Sequence, residues 1–95
     1  MNRARPLARL FCDYGAEWPL WLDGMRNPED LVLGDGLVAD LNAWQDHFDA
    51  HFHWQRGWDN DADKDRHADD GRRLARALDV EIGRDYLVEL STHDA

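Results

Sequence analysis

Two stretches of this chain carry residues whose types and spacing can do chemistry. The first is Asp59-Asn60-Asp61-Ala62-Asp63-Lys64-Asp65, in which carboxylates alternate with other side chains. Oxygen ligands at positions one, three and five open an EF-hand calcium loop. Counted from Asp59, His67 and Asp70 take positions nine and twelve. Three residues depart from that pattern. Lys64 stands where a glycine permits the sharp turn, Arg66 where an apolar residue belongs, and Asp70 where a bidentate glutamate closes the shell. The plainer expectation is a solvated turn whose acids cap the helix that follows.

The second stretch is His47-Phe48-Asp49-Ala50-His51, with His53 just beyond. Imidazoles four residues apart project from one helix face and can share a zinc ion. Phe48 occupies the place of the glutamate in HExxH, so metalloprotease chemistry is excluded. Asp40, on the same flank, and His67 are candidate third ligands. The plainer expectation is that both rings sit at the rim of an apolar core with their polar atoms reaching water. Metal candidates are therefore His47, His51, Asp59, Asp61, Asp63 and Asp70, and no cofactor is expected.

Little else suggests catalysis. Cys12 lies in an alternating stretch and reads as a small buried hydrophobe. Ser91, near the C-terminus, is the only serine, and no glycine loop is arranged to cradle a phosphate. An acid–base pair such as Asp49 with His53 would be needed, and nothing singles it out. The chain is read as a non-enzyme.

The elements that must position these residues follow from periodicity. In Asp35–Trp54, Leu37, Leu41, Trp44, Phe48 and Phe52 recur about every fourth residue, which predicts one amphipathic helix. Asp35 is its expected N-cap and Gly57 its expected C-terminal glycine. A second helix is expected from Ala62 or Asp65 to Ile82, with Ala68, Gly71, Leu74, Ala75, Leu78 and Ile82 as its apolar line. Gly71 costs about 0.8–1 kcal/mol of helix propensity against alanine, a loss that close approach of the first helix would offset. Leu7–Asp13 and Asp85–Ser91 alternate as strands, and Asp30–Leu33 is a candidate third. Glu17–Pro28 reads as a loop broken by Pro19, Gly24 and Pro28, with Trp18 and Trp21 plugging the core. Residues 1–6 are expected to fray. The fold class is α+β, two helices packed on a two- or three-stranded sheet, in the order strand-loop-helix-helix-strand.

Ninety-five residues make a single small domain, and its five tryptophans supply the dense packing such a domain needs. The lone cysteine fits a reducing compartment, and no uninterrupted apolar run marks a signal or a membrane span, so a cytoplasmic location is expected. Net charge is −9, from 20 acids against 11 bases. Such a balance argues against nucleic-acid and anionic-membrane partners, which need clustered Lys and Arg. It suits a basic protein surface or a cation. No Lys or Arg lies between Arg26 and Arg56, although opposite charges four apart would stabilise a helix there. The carboxylates are expected to share one outer wall that Arg72, Arg73 and Arg76 leave unneutralised.

Phe11-Cys12-Asp13-Tyr14-Gly15, then Pro19-Leu20-Trp21, Leu41 and Trp44, and later Gly71-Arg72-Arg73-Leu74 carry a resemblance. The chain resembles a group of small uncharacterised bacterial proteins with a CDYG…PLW pattern. That resemblance implies a natural domain and transfers no activity.

Two functions compete. The first is an acidic binding protein docked on a basic partner, such as an immunity or antitoxin-like inhibitor of a nuclease. Its contacts would be Asp40, Asp46, Asp49, Asp59, Asp61, Asp63 and Asp65, with Trp58 as anchor. The second is a divalent-metal module using the Asp59–Asp70 loop or the His47/His51 pair. A homodimer joined through an edge strand is a further arrangement.

Overall fold

In the computed structural model, residues 5–13, 16, 18–22 and 31–92 are described. Strand β1 (Leu7–Leu10) lies at the centre of a three-stranded sheet, antiparallel to β2 (Leu20–Leu22) and parallel to β5 (Leu87–Leu90). Between β2 and β5 come helix α1 (Asp35–His51), a two-stranded ribbon of β3 (Phe52–His53) and β4 (Gly57–Trp58), and helix α2 (Asp61–Ile82). The architecture is the expected α+β, with chain order strand-strand-helix-ribbon-helix-strand in place of strand-loop-helix-helix-strand. Parallel pairing of β1 with β5 is possible because both helices lie between them, giving the chain room to cross over.

The alternation read in β1 is real. Ala8, Leu10 and Cys12 are buried, while Arg9 points outward and faces Glu89 in register on β5. That exposed pair adds little stability.

The third strand is not where it was expected. Leu31–Leu33 is no strand, Pro28–Asp30 lies outside the described residues, and Leu20–Leu22 takes the sheet edge. Pro19 had suggested a break, but a proline is tolerated just before a short edge strand. Its carbonyl accepts a bond from Phe11 N–H at 2.9 Å. Trp21 is 45% exposed there, so it does not plug the core, whereas Trp18 packs against it. Of residues 1–6, expected to fray, 1–4 lie outside the described residues, while Arg5 and Pro6 are tethered: Arg5 donates to the Gly83 carbonyl, and the Pro6 carbonyl accepts from Leu87 N–H.

Helix α1 also ends early. Phe52 turns to extended backbone at φ −107° and ψ 132°, yet its ring still stacks on Phe48 at 4.8 Å. The apolar stripe therefore continues through a residue that is not helical. Gly57 is no helix cap; it sits at φ 79° after the turn that closes the ribbon, a conformation glycine adopts without steric cost. At the other end, Gly34 and not Asp35 is the N-cap, and its N–H donates to Glu81 Oε1 at 2.8 Å. Gly83 does end α2, although in a right-handed conformation.

The helices lock at Trp44. Its indole N–H donates to the His67 carbonyl at 2.9 Å, and its ring stacks on the buried His67 imidazole at 4.6 Å. Gly71, one turn further along α2, makes room for this. A Cβ there would lie 3.0 Å from Trp44 Cζ2 and 3.1 Å from Leu90 Cδ1. Gly71→Ala should therefore destabilise by about 1 kcal/mol in urea melts, because overpacking outweighs the gain in propensity. Gly36→Ala, where nothing lies within 4 Å, should stabilise by about 0.5 kcal/mol.

Candidate functional site

The two chemical stretches meet at one end of the helical pair. His47 and His51 leave α1 on the flank that faces α2, and their ring centroids lie 4.8 Å apart. Asp63 approaches from the first turn of α2, and its backbone carbonyl lies 3.2 Å from His47 Nε2. Its carboxylate lies 3.4 Å from His51 Nδ1 and 4.0 Å from His47 Nε2. Asp59, just after the ribbon, takes a second position between histidines, 3.3 Å from His51 Nδ1 and 2.9 Å from His53 Nε2. Loss of hydration pulls the Asp59 carboxyl upward, but hydrogen bonds from His51 and His53 and their charge hold it below its usual range.

The capping chemistry fixes this corner. Asn60 accepts from Asp63 N–H and donates to the Asp63 carboxylate, both at 2.8 Å, so the side chains at the helix start are tied reciprocally. Capping was expected of these acids; that an asparagine performs it was not.

The calcium-loop reading does not hold. Asp61–Asp70 is helical, so the acids follow a 3.6-residue period and cannot curl round one ion as a twelve-residue loop does. His67, its ninth position, is buried in the core beside Trp44. Asp70 instead pairs with Arg66 at 3.5 Å and with Arg73.

The remaining acids do not form one wall. Asp40 lines a cleft of about 360 Å³ between the helices together with Trp44, His47, Arg66 and Arg73. Asp49 lies on roughly the opposite flank of α1, nine residues on. There it accepts from Gln45, whose amide also reaches the Asp13 carbonyl. Asp46 is exposed between these flanks, and Asp61 and Asp65 are exposed on α2. Among the described residues no arginine pairs with Asp40, Asp46, Asp49, Asp61 or Asp65. Arg72 and Arg73 bond Asp69 and Asp70 of their own helix instead.

The tryptophans also sort differently from expectation. Trp58 is partly buried, 5.9 Å from Phe48, 5.3 Å from Phe52 and 4.8 Å from His67, so most of its ring is structural. Trp54, at the tip of the ribbon, is 68% exposed. The ribbon is hidden in the sequence because Phe52 keeps the helical spacing of the apolar stripe; Gly57 is its one local signal.

Cys12 is fully buried beneath α1, with its Sγ 3.9 Å from the Trp44 carbonyl. Burial, and after it the Asp49 charge, pushes the thiol far above its ordinary pKa, which suits a core residue and not a nucleophile.

Fold and site together define a small two-layer α+β domain with unpaired carboxylates on several faces and a histidine–aspartate cluster at one end. The chain belongs to the family described as Serratia CdiI immunity protein-like, whose model matches residues 7–93. Comparison with curated proteins finds no match. Among the described residues no helix is long and apolar enough to cross a membrane.

The surroundings of Cys12 make a chemical prediction. A thiol-reactive disulfide reagent should label the folded chain about a hundredfold more slowly than the chain in denaturant. Equal rates would contradict the burial of this thiol.

Proposed function

We propose that this chain is an immunity protein that binds and neutralises a contact-dependent inhibition toxin, without chemistry of its own. The observation that carries this reading is the family match across residues 7–93. The toxin's contact surface is basic, as in a nuclease whose groove holds a polyanion, and the chain acts where the toxin acts, in the cytoplasm. A net charge of −9 supports that choice, because a domain of this sign is drawn to a cationic groove and repelled by the nucleic acid itself.

Within this reading the contact centres on the carboxylates that no arginine neutralises. Asp46, Asp49, Asp61 and Asp65 steer the approach, Asp40 contributes from the cleft rim, and Asp59 and Asp63 lie beside the histidines. The exposed Trp54 is the better apolar anchor, with only the accessible edge of Trp58 beside it. An exposed aromatic supplies apolar binding energy where it is covered by the partner, and charges dispersed over the surface supply rate and selectivity.

The test is association of the chain with its cognate toxin domain, followed by stopped flow or surface plasmon resonance. The association rate should fall steeply as ionic strength rises. Joint Asp46→Lys and Asp65→Lys substitution should slow it by about tenfold and leave the fold intact. Trp54→Ala should act mainly through faster dissociation. An association rate indifferent to salt would remove the electrostatic part of the proposal, and failure to bind the toxin would remove the whole.

A further inference from the structure

We infer that His47, His51 and Asp63 form a site for a borderline transition-metal ion, best matched by zinc, that staples the end of α1 to the start of α2. Each residue offers one ligand atom, and the three atoms lie within 4.8 Å of one another. Tetrahedral zinc at bond lengths of 2.0–2.2 Å needs its donors about 3.4 Å apart. The separation present closes by small side-chain rotations.

Geometry favours a built site over a chance meeting of polar groups. The ligands come from two elements, and the Trp44 indole, bonded to the His67 carbonyl at 2.9 Å, fixes how those elements lie. Asn60 Nδ2 holds the Asp63 carboxylate at 2.8 Å, so one ligand is oriented in advance. Asp59 meets His51 at the same Nδ1 that faces Asp63, so it must yield that nitrogen when the ion binds and keeps its contact with His53. The His47 side chain is 11% exposed and that of Asp63 21%, against 39% for His51. One side of the site is therefore enclosed, and the other opens to water or to a fourth ligand.

The donor set selects the ion. Two imidazoles and one carboxylate suit zinc, nickel or copper, whereas calcium and magnesium require an oxygen shell. The inference is independent of any toxin, so its test uses the chain alone and leaves the immunity reading untouched whichever way it falls.

Thermal melts of the metal-stripped full chain are compared with and without zinc, with Asp63→Asn, His47→Gln and His53→Gln as variants. At a zinc concentration a hundredfold above the dissociation constant, the wild-type midpoint should rise by about 10 °C. His53→Gln should keep most of that rise, and His47→Gln and Asp63→Asn should lose most of it. Asn at position 63 keeps the backbone N–H that Asn60 caps, so this variant should fold, as its metal-free melt will show. An unmoved wild-type midpoint, an equal rise with calcium, or a full zinc response in Asp63→Asn would each overturn the assignment.

Discussion

The contact of the Trp44 indole with the backbone of α2 is the constraint on which the rest of the molecule depends. The ring is 2% exposed, and burial of so large an aromatic stabilises by roughly 4–6 kcal/mol. Its N–H reaches the His67 carbonyl, its face covers the His67 imidazole, and its edge fills the space that a side chain at position 71 would take. The same glycine lies against Leu90 of β5, so the seat that joins the helices also joins α2 to the sheet. His67 carries the contact on to Trp58 and Phe48, which tie in the ribbon.

A consequence is that folding asks little of the outer carboxylates. The acids of the first turn of α2 sit where the helix dipole and Asn60 favour them. Asp69 and Asp70 of that helix are matched by arginines three or four residues away, in exposed pairs worth little individually. Asp46, Asp61 and Asp65 have no such partner among the described residues, and nothing in the core depends on them. Stability and surface charge are thus borne by different faces, which leaves the charge free to serve recognition.

Sequence periodicity made the two helices, the first strand and the last legible, because each buries one face. It also made sense of Gly71, whose cost in propensity pointed to a close helical approach. The ribbon was hidden because Phe52 keeps the helical spacing after the helix has ended, and Gly57 was then misread as its cap. Pro19 concealed β2 for a related reason: a breaker in a central strand is harmless beside a short edge strand. Gln45 and His67 gave no sign of burial, since polar residues enter a core only when tertiary partners receive them. The acid run and the histidine pair, treated apart, proved to share Asp63 and His51 in one cluster, a juxtaposition that only the packing of α1 on α2 creates.

Trp44 and Gly71 act as one unit, and a double-mutant cycle between Trp44→Phe and Gly71→Ala measures that coupling. Urea unfolding of the wild type, both single variants and the double variant gives their coupling energy. A shared seat for the two residues predicts that the added methyl group costs at least about 0.5 kcal/mol less once the larger indole is gone. Additive losses would mean that the glycine is not there to receive the tryptophan, and would contradict it.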